Sequence, residues 1–182
     1  MRIVGGEARG RKLFAPEGET TRPTADRVRE SLFSILMGSV RGARVIDLFA
    51  GSGALSLEAI SRGAASAVLI DMDRKAQQAI ARNIDIVGAK NRVKLIKSDW
   101  RGALSSLHEP FDIVFLDPPY AMLQSYSEAA GALRDRELLA EGAILVMEHR
   151  SKDALSLPDG FEIYDERRYG ETMIAFVREV DI

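Results

Sequence analysis

From residue 44 onward, short apolar runs alternate with segments of helical periodicity, and this alternation leaves the chain very few ways to fold. The runs occupy 44–49, 67–70, 93–96, 113–116 and 143–147, and helix-like stretches lie near 54–62, 73–87, 101–107 and 122–140. Runs that short and that continuously apolar suit strands buried on both faces, and a helix between successive strands makes them parallel neighbours with crossovers covering both faces. The tail breaks the rhythm. Residues 161–164 and 172–177 flank Tyr169-Gly170 with no helix between them, which predicts a closing antiparallel hairpin. The expected fold is α/β, with a seven-stranded, mostly parallel sheet.

In such a sheet ligands bind at the carboxyl ends of the central strands, and acids stand at those ends. The stretch from Asp47 to Gly53 ends the first strand, Asp71 the second, Asp99 the third and Asp117 the fourth. After the first strand comes Phe49-Ala50-Gly51-Ser52-Gly53, whose glycines allow a sharp turn and a close approach of ligand to main chain. The dinucleotide fingerprint is incomplete, because its third glycine position holds Ser56, and no Gly-Lys-Ser/Thr of a phosphate loop is present. Asp71 is placed to accept ribose hydroxyls, as carboxylates do in dinucleotide folds. Asp73 reads as the cap of the next helix. The chain has no cysteine, and its two histidines, His108 and His149, are read as surface or strand-end residues, so no metal site is expected.

The stretch Asp47-Leu48-Phe49-Ala50-Gly51-Ser52-Gly53 resembles the first motif of S-adenosylmethionine-dependent methyltransferases. That resemblance implies Asp47 near the donor's cationic methionine portion. It also implies adenine held around Ser98-Asp99-Trp100, with Asp99 accepting from the amine and Trp100 or Met72 packing on the ring. A sole Trp is also a natural core residue. Asp117-Pro118-Pro119-Tyr120, ordinary turn chemistry in isolation, resembles here the catalytic loop of enzymes that methylate exocyclic amines of bases. Such an amine is a poor nucleophile, its lone pair being delocalised into the ring. Acceptors on both N–H groups, one from Asp117 and one from the Pro118 carbonyl, would fix the nitrogen toward an incoming methyl group. The prolines stiffen the loop, and Tyr120 can stack on an unstacked base.

The N-terminal segment narrows the resemblance. Arg9-Gly10-Arg11-Lys12-Leu13, the stretch Thr21-Arg22-Pro23-Thr24-Ala25-Asp26-Arg27-Val28-Arg29-Glu30, and the late Arg168-Tyr169-Gly170-Glu171-Thr172 are similar to the bacterial RsmD family of 16S ribosomal RNA guanine-N2 methyltransferases, over essentially the whole chain. The resemblance implies a Rossmann-like class I methyltransferase fold, S-adenosylmethionine as cofactor and methylation of a guanine at the family's position 966. It implies a donor-pocket role for Arg22, Pro23 and Thr24. Arg9, Arg11, Lys12 and Arg27 would face RNA, with Arg22 counted among them. An ion pair is the reading for Arg29 and Glu30. The alternative is an adenine-N6 DNA methyltransferase, which uses the same tetrapeptide but normally needs a separate recognition region.

Charge fits an RNA partner. The net charge of the 182-residue chain is only −2, yet residues 1–44 hold nine Lys/Arg against five acids, leaving the body acidic. Residues 1–14 read as a small hairpin, and a helix capped by Thr24 follows, with Val28, Leu32, Ile35 and Leu36 on one face, Arg27 and Arg29 on the other, and a stop at Gly38. The expected division is 1–40, a basic hairpin and helix extension with RNA and donor contacts, and 41–182, the methyltransferase domain. No apolar run is long enough for a membrane span, and nothing resembles a signal peptide. A cytoplasmic monomer acting on 16S rRNA within the small subunit or an assembly intermediate is expected.

Overall fold

The alternation of buried runs and helices builds one twisted sheet. The structure is a computed structural model that describes residues 1–18 and 23–182, with Pro23 and Thr24 by backbone alone. Arg22 therefore lies outside the described residues, as does the Thr24 side chain. In chain order the elements are α1 (Pro23–Val40), β1 (Arg44–Asp47), α2 (Ala54–Ser61), β2 (Ser66–Ile70), α3 (Arg74–Val87), β3 (Val93–Ile96), α4 (Trp100–Leu104), β4 (Phe111–Leu116), α5 (Gln124–Asp135), β5 (Leu139–Arg150), β6 (Phe161–Tyr169) and β7 (Thr172–Glu179). The strand order is β3-β2-β1-β4-β5-β7-β6, parallel through β5 and antiparallel in the last two pairings. The order reverses between β1 and β4, which places the ligand crevice above their carboxyl ends.

Strand alternation divides the core in two. Val45, Leu69, Ile113, Phe115, Val146 and Phe176 face α1, α2 and α3, whereas Ile46, Ile70, Val114, Leu116, Leu145 and Met147 face α4 and α5. Ile3, Ala8 and Leu13 belong to the first cluster, so the N-terminal segment is packed into the body. Its hairpin is slight, a single bridge between Arg2 and Lys12.

The first helix departs from the sequence reading. It begins with Pro23 in its first turn, where the missing N–H has no intrahelical partner to lose, and it runs through Gly38 because Val40 is buried beyond it. Ile35 is 38% exposed, Phe33 fills the core instead, and Arg29 is only 4% exposed. Arg29 is buried because it is paired. It bonds Asp26 at 2.9 Å, Glu58 at 3.4 Å and the carbonyl of Arg2, not Glu30. Glu58, wholly buried on α2, accepts from Val4 N, Gly5 N, Arg62 Nε and Arg29. One carboxylate thus ties the N-terminal segment, α1 and α2 together.

Candidate active site

The glycine turn after β1 is fixed by main-chain and carboxylate bonds rather than by bulk. Ala50 N donates to the carbonyl of Ile70 at 2.9 Å, Gly51 N to Asp71 Oδ2 at 2.8 Å, and Gly53 N to the carbonyl of Ala50 at 2.7 Å. Asp71 also accepts from Asp73 N through Oδ1 at 2.9 Å, and Asp73 caps α3 through Ala76 N, as its position in the sequence predicts. Gly53 has φ +80, and a Cβ there would lie 2.9 Å from Leu69 Cδ2. Only glycine accommodates both the conformation and the neighbour. From the other side, buried Asn83 of α3 donates to the carbonyl of Ser52 at 2.8 Å while pairing with both Phe14 N and Phe14 O. The sequence reading missed Asn83, and no motif marks it.

Asp47 lies beneath this turn, 2% exposed, and accepts from Phe49 N at 3.1 Å. Burial pushes its carboxyl from 3.8 up to about 7, and the charge of Asp71 adds to the rise while the Phe49 bond opposes it. Among the described residues no cation pairs with this buried carboxylate, which fits an approaching cationic group. Of the turn's residues, Phe49, Gly51 and Ser52 are half-buried, whereas Ala50 and Gly53, like Asp47, are buried.

The adenine-side residues separate. Asp99 caps α4 by accepting from Arg101 N at 2.9 Å and remains 41% exposed at its side chain. Trp100 is 3% exposed and packs among Ile70, Leu104 and Val114 in the α4–α5 core, with the Arg101 guanidinium 4.5 Å from its ring centroid. Trp100 is thus a core residue. Met72, 70% exposed, is the one of the pair with surface to offer a ring.

At the end of β4, next to β1, the chain leaves the sheet through Asp117, Pro118, Pro119 and Tyr120. Asp117 and Tyr120 are exposed and Pro118 is buried. The loop's exit is closed by Met122 N donating to the carbonyl of Pro119 at 2.8 Å. The Arg150 guanidinium, held by Asp153 at 2.9 Å, stands 4.9 Å from the Tyr120 ring centroid. Beneath the loop, buried Tyr126 of α5 donates to the carbonyl of Glu148. Burial chiefly, and then the charges of Asp117 and Glu148, push the Tyr126 hydroxyl upward.

The basic residues do not all gather here. α1 enters β1 from its carboxyl end, so its first turns, with exposed Arg27, rise toward the catalytic loop; Ser31 already meets Tyr169 at the hairpin turn beside the end of β5. The turn carrying Arg9 and Arg11 is docked at the other end. Glu7 N bonds the carbonyl of Ser61, Glu7 pairs with Arg92 before β3, and Arg11 Nη1 donates to the carbonyl of Ile86. Ile86 is twelve residues along α3 from Arg74, roughly 18 Å from the donor end at 1.5 Å per residue. Lys12 lies exposed between the two ends, paired across the bridge with Arg2. A hollow of about 220 Å³ lined by Ser39, Arg41, Ala43, Asp112 and Gly142 also lies at the amino ends of the strands, away from these carboxylates. His108 is exposed, but His149 is buried, its Nδ1 3.0 Å from the carbonyl of Arg150. No cluster of potential metal ligands occurs among the described residues.

The family model described as "Conserved hypothetical protein 95" matches residues 1–178. Ribosomal RNA small subunit methyltransferase D of Escherichia coli K12 is 39% identical over 174 residues, covering 94% of this chain and 86% of that protein. The solved structure of Escherichia coli yhhF superposes with a TM-score of 0.88 at 35% identity, covering 99% of this chain and 98% of the other. SMU.776, solved in complex with SAH, shares the fold at a TM-score of 0.67 and 15% identity, over 86% of this chain and 50% of its own. An open α/β sheet with acid-ended strands, a glycine turn and an Asp-Pro-Pro-Tyr loop, matched from end to end, places the chain in the Conserved hypothetical protein 95 family, to which the small-subunit ribosomal RNA methyltransferase D proteins belong.

Proposed function

We propose that this protein transfers a methyl group from S-adenosylmethionine to the exocyclic N2 amine of a guanine in 16S ribosomal RNA, at the family's position 966. The observation that carries the reading is the location of Asp117–Tyr120 at the end of β4, directly beside the β1 glycine turn, in a chain whose relatives are named ribosomal RNA methyltransferases. The donor site fits the chain's own residues: Asp47 offers a buried carboxylate to a cation, Asp71 keeps acceptor capacity for ribose hydroxyls, and the glycine turn allows close approach. In this reading Asp99 and Met72, both with exposed side-chain surface, would hold the adenine. Thr24 and Arg22 are taken as further donor or RNA contacts.

When bound, the donor supplies a methyl group on a cationic sulfur, which keeps the bonding electron pair as the amine nitrogen takes the carbon. The protein's part is positioning. Asp117 accepts one N–H of the amine and the Pro118 carbonyl the other, and Tyr120 stacks on the base, so the nitrogen is aimed before reaction. Methylation makes the nitrogen acidic, and its proton leaves late to Asp117 or water. Desolvation of the crevice strengthens each of these contacts.

Residues 1–40 serve as the extension that reaches RNA and the donor turn, and 41–182 as the methyltransferase domain. Arg27, exposed on the first turns of α1, would meet RNA near the catalytic loop, and Arg9, Arg11 and Lys12 would meet phosphates farther along, a footprint on the α1–α3 side of the molecule. The substrate is the RNA in the small subunit or an assembly intermediate, and the protein acts as a cytoplasmic monomer; no described helix is long and apolar enough to cross a membrane. The test is labelled-methyl transfer to small subunits, naked ribosomal RNA and DNA duplexes, with mass mapping of RNA from a deletion strain with and without the gene. A guanine methylated only when the gene is present is the expected result. Label appearing on adenine in DNA would overturn it.

A further inference from the structure

Where β5 loses its parallel partner β4 it too carries an acid, Glu148, and no step above uses it. Leu116 of β4 pairs with Met147 of β5, and both bury into the α4–α5 face. The next residues along, Asp117 and Glu148, therefore follow side by side, about 4.8 Å apart between strands, with alternation turning Glu148 to the α1 face. On its other side Glu148 pairs with buried Ile174 of β7. Its backbone is held from below by the Tyr126 hydroxyl, whose own surroundings include both carboxylates. Burial pushes the Glu148 carboxyl upward, and among the described residues nothing donates to it or pairs with it. A desolvated acceptor beside the catalytic loop calls for a donor from the substrate.

Resting on the guanine-N2 reading of this site, we propose that Glu148 selects the base, its carboxylate accepting guanine N1–H while Asp117 holds the neighbouring 2-amino group. Guanine presents these donors side by side on its pairing edge. Adenine presents its amine beside the bare N1 lone pair, and a carboxylate set against that lone pair repels it. A site built around a hydrogen bond rejects analogues lacking the donor far more strongly than an apolar pocket rejects an extra methylene.

The test uses reconstituted small-subunit particles whose RNA carries either guanine or 2-aminopurine at the methylated position. 2-Aminopurine keeps the 2-amino group but has no proton on N1. The wild-type protein should prefer guanine by about 100-fold or more. Glu148→Gln keeps shape but can turn an N–H toward bare N1, so its preference should collapse to within about 10-fold, with donor binding by calorimetry unchanged. Glu148→Asp should keep the preference while turning over more slowly. Equal losses on both bases, or an unaltered preference in Glu148→Gln, would overturn the assignment. A wild-type protein that methylates neither base takes down the guanine-N2 reading itself, a result separable from a wild type that is active but fails to discriminate.

Discussion

Replacing Asp47 by Asn should make the protein more stable and a poorer binder of its donor. The Asp47 carboxyl titrates at about 7 when folded, against 3.8 in the free side chain. Between those values the folded chain keeps a proton that the unfolded chain has lost, so stability falls as pH rises through this window. The shift corresponds to about 4 kcal/mol of destabilisation at pH 8 and about 2 kcal/mol at pH 5.5, at 1.36 kcal/mol per pKa unit. Asn retains an acceptor for Phe49 N and carries no charge to desolvate. Urea titration of both proteins at pH 5.5 and pH 8 should show the variant's advantage growing by about 2 kcal/mol, a difference from which constant effects of the substitution cancel. Calorimetry with S-adenosylmethionine completes the experiment. The donor's cationic portion should draw the proton off Asp47, so wild-type affinity rises with pH through about 7 and the Asn variant loses that dependence. An advantage of the same size at both pH values would refute the reasoning.

Asp117→Ala should lower methyl transfer by about 100-fold or more while donor affinity, read by calorimetry, stays within a few-fold of wild type. Glu58→Ala removes one of the two carboxylates paired with buried Arg29 and leaves two backbone N–H groups without their acceptor, so a loss of about 3 kcal/mol is expected in urea denaturation. Gly53→Ala must hold a Cβ against Leu69 at positive φ; stability should fall by roughly 1–3 kcal/mol and donor affinity with it. Arg27→Ala should weaken RNA binding and reduce its salt slope by about one unit, whereas Arg11→Ala should also loosen the end of α3, visible as faster amide exchange near Ile86.

The five parallel strands were legible because strands buried on both faces must be apolar and must stop at turn-forming residues, here glycines and acids. The ends of β5 were not. Glu148 and His149 follow the apolar run, yet their backbones continue to pair with β7, and before the run Glu141 lies in the register shift between Leu139 and Ile144. β6 likewise extends through Asp165, Glu166, Arg167 and Arg168, since an edge strand tolerates charges that a central one does not. Arg29 does form an ion pair, but with Asp26 and Glu58 rather than Glu30, because the distant partner on α2 cannot be read from helix periodicity. Trp100 shows another limit: its neighbour Asp99 sits at a site-like position, but the first turn of α4 rotates the indole into the core. Glu148 stands one residue past its apolar run, as Asp71 and Asp117 do, but no glycine turn or Asp-Pro-Pro loop beside it marks a strand end.

Asn83 bears on how this chain can be dissected. Its amide grips Phe14 on one side and Ser52 on the other, so the first fourteen residues and the donor turn share a single bracket. Trimming those residues, or grafting a relative's version of them, should alter cofactor affinity even where no RNA is present. Chimeras within the family should therefore exchange this arm together with the α3 side chain that clasps it, and with Glu58, as one inherited block.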